Sequence, residues 1–95
     1  MFTIYVVFKC IEGKREKYIQ LLNNEGIVDA IRNEDGCIRY DYYFSEKNPD
    51  EILLIEMWES KNHQEAHLKQ PHMTRLFELK PDFVLSTEIG EFQLK

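Results

Sequence analysis

The stretch WESKNHQEAHLKQPH, Trp58 to His72, holds the chain's single tryptophan and all three of its histidines, His63, His67 and His72. Imidazole changes its charge close to neutrality, so the chemistry this stretch suits is proton transfer to or from an acidic hydroxyl. An indole beside it supplies a flat apolar wall. Helical spacing puts His63 and His67 on one face at i and i+4, while Pro71 interrupts the register before His72. No cysteine or carboxylate stands at ligand-like spacing beside the pair, and an ion wants three or four ligands, so no metal is expected here. His63, between Asn62 and Gln64, reads as a solvated helix residue; His67, between Ala66 and Leu68, reads as either a packed core residue or one facing a cavity. Glu56 shares a strand face with Leu54 and Trp58, and a carboxylate in that company must be paired or given a task. Arg39 is the expected partner if it is only paired. Tyr40 and Tyr42, alternating on another strand, would add flat walls and phenolic hydroxyls to a pocket for a planar ligand, or else simply pack the core.

These groups need elements to hold them. Thr3 to Phe8 is β-branched and aromatic, as a buried strand should be, and Gly13 breaks it. From Lys14 to Asn33 the apolar residues Tyr18, Leu21, Leu22, Ile27, Val28 and Ile31 recur at helical spacing, with Gly26 marking a bend or a second short turn. Asp35-Gly36 turns the chain into CIRYDYYF, a strand with Ile38, Tyr40, Tyr42 and Phe44 expected on one face. Ile52 to Trp58 is a third strand with both faces largely apolar. Ser60 caps a helix to about Gln70, Pro71 opens another from His72 to Leu79, and Pro81 ends it. Phe83 to Phe92 supplies the last strand, where Gly90 suggests a bulge or bend.

The order β, α, β, β, α, β predicts an α+β ferredoxin-like sandwich with an antiparallel four-stranded sheet, one domain over residues 1–95. Helices on one side leave the other side of an apolar sheet bare. A second copy of the sheet is the economical cover, giving a homodimer shaped as an α/β barrel, and the Glu56–Trp58 face is expected to look into the space between the two copies.

Composition narrows the class. Twelve Lys and Arg against seventeen Asp and Glu give a formal charge of −5, with the bases scattered, which argues against nucleic acid. FTIYVVF is too short to cross a bilayer and has no basic segment before it, so neither a membrane span nor a secretory signal is expected. Cys10 and Cys37 read as buried reduced thiols, which suits a cytoplasmic protein. The chain has no GxGxxG, GxxxxGK[ST], GxSxG or HExxH, which removes nucleotide binding and serine hydrolase chemistry.

The passage IEMWESKNHQEAHLKQPHMTRLFEL resembles the antibiotic-biosynthesis monooxygenase family, through Glu56-x-Trp58 at a strand end, Ala66-His67 on the following helix and the Pro71-His72 break. NEDGCIRYDYY is similar to that family's acidic-Gly-Cys turn and second strand. The resemblance implies a dimeric α/β barrel and oxidation of a small phenolic, quinol or anthrone-like aromatic by dioxygen without a cofactor. It implies His67 and His72 as catalytic candidates, with Trp58, Glu56, Tyr40 and Tyr42 shaping the substrate pocket. The first strand lacks the asparagine of haem-degrading relatives, so haem cleavage is not expected. Two alternatives belong to the same superfamily: an isomerase of a small oxygenated metabolite, and a non-catalytic dimeric stress or ligand-binding module.

Overall fold

The structure, a computed structural model, describes residues 1–92. Four strands, β1 (Phe2–Cys10), β2 (Cys37–Phe44), β3 (Glu51–Trp58) and β4 (Val84–Glu91), form one sheet in the order β2-β3-β1-β4. Every neighbouring pair is antiparallel. The helices are α1 (Arg15–Asn24), α2 (Ile27–Arg32), α3 (Lys61–His67) and α4 (Pro71–Leu79), with a short 3-10 turn at Lys80–Asp82 leading into β4. This is the ferredoxin-like α+β arrangement expected from the element order. The expected first helix is two, because Gly26 takes a left-handed φ of 73° that no continuing helix accommodates.

Alternation along the strands decides which side chains meet the helices. Ile4, Val6 and Phe8 of β1, Ile52, Leu54 and Trp58 of β3, and Tyr40 of β2 pack in one core with Tyr18, Leu22, Val28, Ile31 and Met73 from the helices. Glu56 belongs to this same face, opposite Ile4 and Tyr40 in the sheet register. The expectation that the Glu56–Trp58 face looks away from the helices, toward a partner, is therefore corrected: it lies under the chain's own helices. The outward face carries Tyr5, Val7, Leu53, Ile55, Met57 and Tyr43, with Leu53 36% and Tyr43 45% exposed. The Cα atoms extend only 17 Å along the thinnest axis, which matches one sheet and one helical layer, with no further layer among the described residues.

Two further expectations differ. Ile38 does not share the face of Tyr40 and Tyr42, because a register shift between Cys37 and Arg39 turns it out to 52% exposure. The irregularity in β4 falls opposite Lys9 and Cys10, while Gly90 stays in register against Tyr5. A Cβ at Gly90 would collide with the Tyr5 ring, so glycine there makes room for an aromatic across the strand.

Local chemistry fixes the loops that matter. The Arg15 side chain at the start of α1 donates through Nη1 to the carbonyls of Ser45 and Asn48, both at 3.1 Å, and so anchors the β2–β3 connection. At the other end of the sheet, the Glu59 N–H donates to the Gly36 carbonyl at 2.8 Å, tying the turn after α2 to the end of β3. Ser60 Oγ accepts from the His63 N–H at 3.2 Å and caps α3.

Gly36 holds a φ of 81°, and a Cβ there would run into the His63 ring. Gly13, at φ 77°, faces open space. We expect Gly36→Ala to lower stability by about 1–3 kcal/mol in urea unfolding. Gly13→Ala, which carries backbone strain without the clash, is expected to lose less.

Candidate active site

The turn that Gly36 makes places Glu34 at the centre of the site. The Cys37 N–H donates to the Glu34 carbonyl at 3.2 Å, and the Glu34 N–H donates back to Ile31 at 3.0 Å, so the residue is held at the junction of α2 and β2. Its carboxyl Oε2 lies 2.8 Å from His67 Nδ1 and 2.7 Å from His72 Nε2. A carboxylate oxygen only accepts, so each ring turns a protonated nitrogen toward it. His67 ends α3, and the break at Gln70 lets Pro71 start α4 in a new direction that returns His72 to the same oxygen. Glu34 and His67 are buried, at 8% and 1% side-chain exposure, while His72 reaches the rim at 21%.

The second nitrogen of His67 is thereby left as an acceptor. It lies 4.0 Å from Glu56 Oε1, too far for a direct hydrogen bond. Glu56 Oε1 accepts instead from the Trp58 indole N–H at 3.1 Å. Its expected ion pair with Arg39 is not formed, because Arg39 points from the opposite face and lies 3.5 Å from Asp41. The Trp58 ring packs on His67 with centroids 4.7 Å apart, and Tyr40 flanks the same imidazole at 5.8 Å. Tyr40 and Tyr42 meet edge to face at 5.7 Å.

Burial sets the protonation states. Desolvation pulls the His67 pKa below its usual value against the opposing pull of Glu34, so the ring is neutral at pH 7. Desolvation pushes Glu56 up to about 7, helped by the charge of Glu34 and opposed by the Trp58 hydrogen bond. Desolvation also raises Tyr42 to about 12 and Tyr40 well above its ordinary range, so both phenols stay neutral hydrogen-bonding groups.

An apolar cleft opens between the sheet and α4, walled by Val6, Phe8, Leu54 and Leu76, with Glu56 and His67 among its polar groups. Tyr40 and Tyr42 also line it. Trp58 and His72 do not: the indole is fully buried behind His67 and Glu56, and His72 touches Glu34 on the far side. Of the expected site residues, then, four face the cleft and two support it from behind. His63 stands apart, its Nδ1 2.6 Å from Ser60 Oγ, as part of the α3 cap. The residue missing from the sequence reading is Glu34, separated from His67 by 33 positions and from His72 by 38, for which the only local signal is an acid before a glycine turn. It supplies the carboxylate shared by His67 and His72, and the three residues offer ligand atoms within 4.8 Å of one another.

The fold and site define a class: a ferredoxin-like α+β domain with a carboxylate–imidazole pair at the base of an apolar cleft. Comparison with known proteins assigns it further. Residues 1–79 match the family described as Antibiotic biosynthesis monooxygenase, and the chain belongs to that family. It is 32% identical to Probable quinol monooxygenase YgiN of Escherichia coli (strain K12), over 98% of this chain and 97% of that one. A crystal structure of an antibiotic biosynthesis monooxygenase superposes with a TM-score of 0.85 at 20% identity, covering 100% of this chain and 99% of that one. A conserved protein from Methanosarcina mazei Go1 does so at 0.82 and 24% identity, over 100% and 95%. These likenesses show a shared fold.

The Glu56 carboxyl gives a pH signature. Folded, it holds its proton up to about pH 7; unfolded, only to its ordinary 4.5. Between those values the folded state binds more protons, so raising the pH through the window weakens the fold. We expect wild-type stability to fall relative to Glu56→Gln between pH 5 and about pH 8 in parallel urea titrations, by on the order of 2 kcal/mol.

Proposed function

We propose that residues 1–95 form a single-domain, cofactor-independent monooxygenase that oxidises a small phenolic, quinol or anthrone-like aromatic with dioxygen. Membership of the monooxygenase family supports the reaction type. One observation carries the mechanism: His67 has one nitrogen bound to Glu34 and the other facing the cleft, 4.0 Å from Glu56. A substrate hydroxyl seated about 2.8 Å from each atom bridges that gap. His67 takes the proton, and the Glu34 carboxylate stabilises the imidazolium that results. The electron-rich anion passes an electron to dioxygen, and the two radicals combine. For an anthrone-like ring, the methylene gives up its two hydrogens, one oxygen atom becomes the new carbonyl and the other leaves as water. Tyr40, Tyr42 and Glu56 orient the ring; Trp58 holds Glu56 and the His67 plane; His72 fixes Glu34.

Homodimerisation completes the proposal. Helices clothe one face of the sheet, and Val7, Leu53 and Ile55 make the other face apolar, so a second copy is its cover. The free thiols Cys10 and Cys37 suit a cytoplasmic setting, and no helix among the described residues is long and apolar enough to cross a membrane. The same pair of proton-transfer groups across a 4.0 Å gap also suits an isomerase of a small oxygenated metabolite, which differs in needing no oxygen.

Oxygen uptake with a quinol panel tests the reading. His67→Gln, which keeps the side chain in place, is expected to reduce turnover about 10²- to 10⁴-fold. An unchanged rate in His67→Gln would refute the assignment, turnover under strict anaerobiosis would favour the isomerase, and binding of a flat compound with no turnover would favour a ligand-binding module. Sedimentation at micromolar concentration is expected to show a dimer, and Leu53→Asp on the outer face to shift it toward monomer.

A further inference from the structure

The trio behind the cleft has a second use. Two imidazoles and one carboxylate from three separate segments converge, with ligand atoms of Glu34, His67 and His72 within 4.8 Å of one another. This donor set suits a borderline divalent ion such as zinc, and three protein ligands leave a coordination position open. Its surroundings are those of a formed site: Glu34 and His67 are buried and the rings of Trp58 and Tyr40 fix the His67 plane, while His72 at the rim opens a path from solvent.

We propose that Glu34, His67 and His72 form a binding site for a zinc-class divalent transition ion, which takes the place now occupied by two shared protons. Bonds of 2.0–2.1 Å in tetrahedral geometry put neighbouring ligand atoms about 3.3 Å apart. The present 2.7 and 2.8 Å are hydrogen-bond separations within a trio that spans at most 4.8 Å, so Glu34 must draw back by about half an ångström and the rim imidazole of His72 must settle at the same spacing from His67, motions within reach of side-chain torsions. An imidazole that binds the ion through the nitrogen now turned to Glu34 carries its ring proton on the other nitrogen. For His67 that nitrogen is Nε2, the atom facing Glu56 and the cleft. Resting on the reading of His67 as base, the ion converts the proton acceptor in the pocket into a donor. Ion binding and substrate deprotonation are therefore mutually exclusive, and a zinc-class ion is an inhibitor of this site.

Cobalt(II) chloride titrated into the chelator-stripped full chain tests the site without any turnover. The expected result is saturation at one equivalent with visible d–d absorption, displaced by zinc. Affinity is expected to fall at least about tenfold in Glu34→Gln and, independently, in the rim variant His72→Ala, and to persist in His63→Ala. Absence of saturable binding in the wild type overturns the proposal, as does binding lost in His63→Ala and retained in Glu34→Gln. Oxygen uptake with and without one equivalent of zinc then separates the two readings. A chain that takes up cobalt but oxidises no quinol sinks the monooxygenase and leaves the metal site standing; one that oxidises quinol and takes up no cobalt does the reverse.

Discussion

One carboxylate oxygen shared by two imidazoles organises this molecule's interior. Glu34 cannot be buried as a charge without donors, and His67 and His72 are the donors that reach it. Satisfying that oxygen dictates which nitrogen of His67 carries the proton, and hence which one faces the cleft. Much of the local architecture serves the arrangement. The left-handed Gly36 turn presents Glu34, the bond from Glu59 to Gly36 locks that turn to the sheet, and the break before Pro71 sends His72 back. A neighbouring acid, Glu56, keeps its own proton to near neutrality because it is buried with only an indole N–H for company.

The fold was largely legible in the sequence. Period-two alternation, the Asp35-Gly36 and Pro71 signals and the Ser60 cap place every strand and the two helices after β3 to within a few residues, because these are local properties of the chain, while the helical stretch before β2 divides at Gly26. The faces were harder. Both sides of β3 are apolar, so pattern alone does not say whether Leu54-Glu56-Trp58 or Leu53-Ile55-Met57 meets the helices, and the choice goes the other way from expectation. Ile38 shows the same limit, since a one-residue bulge reverses a side chain that alternation had placed inside.

The site was legible in half. His67, Glu56, Tyr40 and Tyr42 stand out as costly or reactive side chains at apolar positions, and the cleft brings these four together. Glu34 did not stand out, because its environment is created by residues 33 and 38 positions away and its own neighbours look like an ordinary surface turn. Trp58 and His72 were read as wall and second base, whereas their contacts are with Glu56 and Glu34. A long-range contact of this kind is a property of the assembled sheet and helices, with no counterpart in local spacing.

The packing of Trp58 has an optical consequence. It is the chain's single indole, it is wholly shielded from water, and its ring lies 4.7 Å from the His67 imidazole. Any light it emits originates from one environment, and a charged imidazole in van der Waals contact is an efficient quencher of that emission. Excited at wavelengths that spare its five tyrosines, the chain's emission therefore reports on the charge of one histidine, with no label attached.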